Sequence, residues 1–327
     1  MTVLRGSRAL RAVVVAVVLA AASTLLWQRG PNWGQVADSF RQVQWIWIGA
    51  AVALNLVSVL VRAACWWAIL RQAVPRPALG YPLVLSGYAV GLLANAVLPG
   101  RVGEVARVAV LRRRTSARRG LWPTLIGTVV AHRLFDLPPS AALAVWVMVA
   151  GRMPTWAFDS LFGVLVVGAA ALAGAVAVAR RPAASAAVDA LGRIPIALRH
   201  ARTGLAVLRA PQTSVLAATT QVSGWLCQLF AVWGVMNAFS IHLPIVAAGL
   251  VLALMNVANL LPLWPGNVGL VQAAVALPLL SYGVRYAHGF AFGVGLQAVE
   301  ASVGVGYGLG FALKEGIGFA AVRAPTP

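Results

Sequence analysis

The sequence predicts an all-α polytopic membrane protein, with about six spanning helices and two re-entrant helical hairpins arranged as an inverted repeat in a single transmembrane domain over residues 1–327. Three observations predict it. Of the 327 residues 61% are hydrophobic and 10% charged, and the mean hydropathy is +0.84, which leaves too little polar surface for a soluble fold of this length. Apolar runs of about 20 residues, enough to cross roughly 30 Å of hydrocarbon, recur from one end of the chain to the other. A short tip sequence occurs twice at a fixed offset.

The apolar windows fall at 9–27, 45–70, 81–98, 121–150, 158–179, 214–239, 243–263, 268–282 and 287–313. The first follows Arg5, Arg8 and Arg11 and resembles a signal sequence, but its length favours an uncleaved anchor. If all nine windows span, the basic residues divide poorly between the two sides. If instead 81–98 dips in and returns through 102–111, and 243–263 returns through 268–282, six helices span and twenty of the 26 basic residues lie on one side. Only Arg29, Arg41, Arg152 and Arg285 then lie on the other, with Arg62 and Arg133 inside membrane segments. The positive-inside rule therefore predicts two re-entrant hairpins and cytoplasmic N- and C-termini. Re-entrant backbone is tolerated at membrane depth only where protein buries it or where it lines a watery cavity.

The first hairpin turns at "NAVLPGRVGEV" and the second at "NLLPLWPGNVGLV", so that Pro99-Gly100 aligns with Pro265-Gly266 and Gly103 with Gly269, an offset of 166 residues. The same offset carries the window that starts at 45 close to that at 214, and the window at 121 onto that at 287. Two units, about 45–150 and 214–313, are joined by a linking helix at 158–179 and a basic cytoplasmic segment at 180–213. One extra crossing between them inverts the second unit, the arrangement in which transporters place a binding site between facing broken helices.

The polar residues suggest what such a site would hold. A half-helix that starts after Pro99-Gly100 aims free N–H groups and a positive dipole end at the tip, and Arg101 adds a full charge, a seat suited to phosphate. The second tip offers Asn267 and backbone N–H groups. Glu104 is three residues from both Arg101 and Arg107, so it either neutralises them and locks the hairpin or orients them on an anionic head group. Ionisable groups at membrane depth need partners or a cavity. Arg133 and Asp136, at i and i+3, can pair with each other. Glu300 has no neighbour in sequence to neutralise it and is the leading candidate for a functional, proton-exchanging carboxylate, with Arg62 or Arg133 as its partner. Pro138-Pro139 is expected to kink or unwind the helix at Asp136. The glycines of the last window read as close-packing positions, and Trp27, Trp33, Trp45, Trp47, Trp66 and Trp67 as interfacial or lipid-facing.

The net charge of +19 would point to nucleic acid in a soluble protein. Here the arginines cluster between apolar runs and read as topology and contact with anionic lipid, so no nucleic-acid partner is expected. Cys65, Cys227 and the four histidines lack ligand spacing, and neither a metal nor another cofactor is expected. Lys314 is the single lysine among the 26 basic residues, a bias that fits a GC-rich bacterial genome better than any mechanism and carries no functional weight; the location expected is a bacterial inner membrane.

The run "LPGRVGEVARVAVLRRRT", the later "HRLFDL" and "PGNVGLVQAAV" resemble the lysylphosphatidylglycerol synthetase transmembrane family, also described as flippase-like integral membrane proteins, from about residue 45 onward. The resemblance implies a lipid translocase, and it implicates Pro99, Gly100, Arg101, Gly103, Glu104, Arg107, Arg133, Asp136, Pro265, Gly266 and Gly269. His132 stands where the family often has Glu. The soluble aminoacyl-transfer domain of the full synthetases has no counterpart here, so lysyl transfer is not expected. The function expected is movement of a phosphate-bearing lipid, a phospholipid or polyprenyl-linked glycan precursor, between leaflets, and not enzymatic turnover. A membrane-embedded glycosyl or aminoacyl transferase and a scaffold for envelope-lipid enzymes remain alternatives, and the oligomeric state is open.

Overall fold

The computed structural model describes residues 31–74, 79–98, 102–115, 121–180, 210–260 and 265–316. The described residues are helical and contain no strand. Five helices are long and apolar enough to cross a membrane: α2 (Trp45–Ala73), α5 (Leu121–Ala150), α6 (Thr155–Arg180), α7 (Pro211–Ala238) and α10 (Tyr286–Lys314). At about 1.5 Å per residue each exceeds the roughly 30 Å of a hydrocarbon core. The expected anchor at 9–27 lies outside the described residues, as does most of the basic segment at 180–213.

Four shorter helices fill the gaps: α3 (Tyr81–Val97), α4 (Gly103–Arg114), α8 (Ile245–Ala258) and α9 (Leu270–Leu279). With 12 residues α4 reaches about 18 Å, and with 10 residues α9 reaches about 15 Å, each well short of a crossing. Helices α3 and α4 pack as an antiparallel hairpin. Glycines permit the close approach: a Cβ on Gly91 would lie 2.9 Å from the Gly103 carbonyl, and one on Gly103 would collide with the Gly91 carbonyl and Asn95. Helices α8 and α9 also pack on each other, and a 3-10 turn at Pro265–Asn267 precedes α9.

Sequence reading missed one element. Helix α1 (Trp33–Arg41) is capped by Asn32, whose side-chain oxygen accepts from the Gln35 amide at 3.1 Å. Its apolar side is held by edge-to-face contacts, Trp33 on Phe290 at 5.9 Å and Phe40 on Phe239 at 5.3 Å. At nine residues it is too short for a window tuned to spans.

Helices α2 and α7 form the central pair and run antiparallel. The Gln44 amide donates to the Ala238 carbonyl at one end (2.9 Å), Ser58 Oγ to the Gly224 carbonyl in the middle (2.9 Å), and Gln72 to Thr213 at the other end (2.8 Å). Helix α5 lies antiparallel to α2 as well, through Trp66 Nε1 on Thr128 Oγ1 at 3.2 Å. The loops thus gather at two ends. One holds the open end of the first hairpin, where Glu315 accepts from Ser86 at 2.9 Å and pairs with Arg114 at 3.1 Å. The other holds α1 and the close of the second hairpin, where the Arg152 amide donates to the Tyr282 hydroxyl at 2.9 Å.

Two expectations need correction. Pro138-Pro139 do not unwind α5, which continues through them as one helix of 30 residues. Trp66 is not lipid-facing: it is fully buried between α2, α5 and the first hairpin, whereas Trp45 is 75% exposed as an interfacial residue should be.

Candidate functional site

The site begins with a packing problem. Helix α4 brings one acid and one arginine, Glu104 and Arg107, to membrane depth on the same face, at i and i+3. They form an ion pair. Arg107 is only 3% exposed, and its guanidinium lies over the Trp66 ring at 4.7 Å and the Tyr88 ring at 5.9 Å, so aromatic faces replace part of its lost hydration. Glu104 also pairs with Arg133 of α5, and Arg133 in turn reaches Asp136 at 3.2 Å. Arg133 thereby ties the hairpin to a spanning helix while its own side chain stays 47% exposed.

Asp136 is the centre of the arrangement. Its carboxylate accepts from Arg62 of α2 at 3.4 Å and from the Trp225 indole of α7 at 3.0 Å, and also from Arg133 and from Gln221 of α7. A carboxylate with donors from several helices cross-braces them. Arg62 extends the chain: its Nη2 donates to Gln228 at 2.8 Å, and Glu300 of α10 lies within electrostatic reach of both. Glu300, expected to partner Arg62 or Arg133, forms a salt bridge with neither among the described residues: Arg62 pairs with Asp136, and Arg133 with Glu104 and Asp136.

A small cleft of about 20 Å³ opens on this cluster, lined by Tyr88, Asn95, Gly103, Glu104, Arg107 and Arg133 among others. Within the cluster, Arg62 Nε, Arg107 Nε, His132 Nδ1 and Gln221 Oε1 are buried without a hydrogen-bond partner among the described residues. His132 Nε2 lies 3.2 Å from the Arg62 carbonyl, which only accepts, so that nitrogen carries the proton and Nδ1 presents a lone pair. Arg107 lines the cleft, and its buried, unpaired Nε is a place for water or a polar ligand.

The tips differ from expectation. Pro99, Gly100 and Arg101 lie outside the described residues. The Gly103 amide, one of the N–H groups expected to face an anion, is already taken by Asn95 Oδ1 at 2.8 Å. At the second tip Pro265 opens the turn, Gly266 and Gly269 take positive φ (66° and 92°), and so does Asn267 (45°). The Gly269 amide is held by Gln272 Oε1 at 2.5 Å, Gln272 donates to Gln297, and Gln297 donates to the Gly266 carbonyl. This centre is made of amides, and its turn packs on α3 of the first hairpin. The charged cluster and the second tip are thus two separate polar centres, one ionic and one neutral.

Sequence reading missed Tyr88, Asn95, Gln221, Trp225, Gln228, Gln272 and Gln297. A signal existed for three of them: Gln221, Trp225 and Gln228 stand at i, i+4 and i+7, one face of an otherwise apolar helix.

The profile of a family described as Lysylphosphatidylglycerol synthase TM region matches residues 10–307. The chain belongs to this family. The match covers both hairpins and all five described spans to within a few residues of the end of α10, and it reaches back beyond residue 45 into the first apolar window. No curated protein and no solved structure matches the chain. Membership of the lysylphosphatidylglycerol synthase transmembrane family, with the apolar spans, makes this a multi-pass membrane protein tied to envelope-lipid biosynthesis.

Proposed function

We propose that the chain moves a phosphate-bearing lipid between the leaflets of a bacterial inner membrane and does not chemically alter it. The observation that carries this reading is Arg133, a half-exposed guanidinium on an apolar spanning helix, which faces a polar cleft and is braced by Glu104 and Asp136. Such a group costs several kcal/mol in hydrocarbon unless a cavity or an anion meets it, and a planar guanidinium matches a phosphate in two-point contact. The acyl chains would stay in the bilayer while the head group passes the cleft. A phospholipid and a polyprenyl-linked glycan precursor share the phosphate this arrangement would hold.

Full-length protein in vesicles that carry a fluorescent phosphatidylglycerol should exchange the lipid between leaflets, read by quenching of the outer-leaflet dye. Arg133→Ala should slow exchange about ten- to hundredfold, the equivalent of one charge-assisted contact of about 1.5–3 kcal/mol. Exchange by Arg133→Ala at the wild-type rate would remove the reading, and release of a modified lipid by pure protein would favour a transferase instead.

We further propose that the two units are inverted repeats with oppositely facing re-entrant hairpins and that both termini are cytoplasmic. Support comes from the antiparallel pairing of α2 and α7 around Ser58 and Gly224, which are themselves 166 residues apart, and from limbs too short to cross. Single cysteines at Arg113, Val268 and Arg285 in a chain whose native cysteines are replaced by alanine test this. Position 113 should react from the cytoplasmic side, and positions 268 and 285 from the outside. Labelling of 113 and 285 from one side would refute the inverted arrangement.

A further inference from the structure

We infer that the two long helices that close the units, α5 and α10, carry matched hinges, one at Pro138-Pro139 and one at the π-helical turn Ser302–Tyr307, about which the part of the molecule holding the first hairpin rocks against the part holding the second. This inference goes beyond the transport reading and does not depend on it.

Prolines 138 and 139 have no N–H, so the carbonyls of Leu134 and Phe135 lose their partners one turn back, and the hydrogen-bond ladder of α5 is interrupted there. In α10 the ladder widens to a π turn over Ser302–Tyr307, a departure that often marks a functional joint. Shifted by 166 residues, Pro138-Pro139 fall on Gly304 and Val305, within that turn. One irregularity is chemical and the other geometric, yet they occupy the same position in the two units.

The packing changes partner at those points. Before its break, α5 holds the first hairpin through Arg133 and Glu104; after it, Leu143, Trp146 and Val147 close on Gly249 of α8 in the second hairpin. In α10 the order is reversed. Gly289 and Gly293 seat against Ala276 and Gln272 of α9, whereas beyond the π turn Gly308 lies against the Ala89 carbonyl and Leu93 of α3, and Glu315 is held by Ser86 and Arg114. Each closing helix therefore binds one hairpin with one half and the other hairpin with the other half. A rigid helix would lock the hairpins together. A weakened ladder at the handover lets them turn.

Polar groups stand beside both hinges. Asp136 lies two residues before the prolines and Glu300 two before the π turn. Arg62 holds Asp136 at 3.4 Å and Gln228 at 2.8 Å, and since Arg62 and Gln228 are again 166 residues apart, this bond joins one unit to the other.

The test reads distance and not transport. Spin labels at Arg113, by the open end of the first hairpin, and Arg285, at the start of α10, are placed on the full chain with its native cysteines replaced by alanine, in bilayers of phosphatidylethanolamine and phosphatidylglycerol. Two inter-label distances, or one broad distribution, are expected for the parent. In Gly304→Ala/Gly306→Ala the added Cβ atoms meet nothing within 4 Å, so packing is undisturbed while the helix stiffens, and the second component should be lost. Pro138→Ala/Pro139→Ala, which restores the ladder of α5, should narrow the distribution independently, and it decides the matter if the glycine variant fails to fold. A single narrow distance in the parent, or a distribution unchanged in the folded variants, overturns the inference.

Discussion

Asp136→Ala is expected to destabilise the folded chain by about 3–5 kcal/mol, the cost of breaking a buried ion pair and leaving its partner charged and unmatched. Asp136 is 13% exposed and Arg62 12%, and the carboxylate also satisfies the Trp225 indole and Gln221. Removing it strands donors on α2 and α7 together. Thermal unfolding in a mild detergent should show the loss, with Asp136→Asn intermediate because an amide oxygen still accepts from Trp225. Arg62→Met added to Asp136→Ala should recover part of the stability, since no unpaired buried charge then remains. If Asp136→Ala melts like the parent, the carboxylate is not the brace described here.

Gly103→Ala is expected to cost up to about 3 kcal/mol through overpacking and to abolish lipid exchange. Its Cβ would run into the Gly91 carbonyl and the Asn95 side chain, and a backbone carbonyl cannot swing away as a flexible side chain can. The hairpin must open, which breaks the Asn95 cap of 2.8 Å and moves Glu104, the next residue, away from Arg133. Gly310→Ala, where nothing lies within 4 Å, provides the control and should leave both melting and exchange near the parent's. Equal behaviour of the two variants would show that the α3–α4 contact does not position the site.

Much of the fold was legible because apolar length is itself the signal. The window at 121–150 coincides with α5, and the breaks at Pro99-Gly100 and Pro265-Gly266 separate helices that are indeed short. Composition could not distinguish Trp66 from Trp45: both are aromatic, but one cushions Arg107 and the other faces outward. The site was half legible. Glu104, Arg107, Arg133 and Asp136 stood out because charge at membrane depth is costly, and they converge. Their neutral partners did not stand out, since a Gln or Asn in an apolar run is common and carries no charge that demands explanation.

The sequence by itself determined which described helices are long and apolar enough to cross a membrane and where shorter ones break, because those properties depend on the length and order of apolar residues along the chain. Only the tertiary structure decided the pairings. Which acid meets which arginine depends on how each helix is rotated about its axis, and that rotation is set by close contacts such as Gly91 on Gly103 and Ser58 on Gly224. Glu104 thus reaches Arg133 on another helix, and Arg62 reaches Asp136 of α5 and Gln228 of α7. In a bilayer, where no water can satisfy a misdirected charge, the packing of small residues fixes the electrostatics.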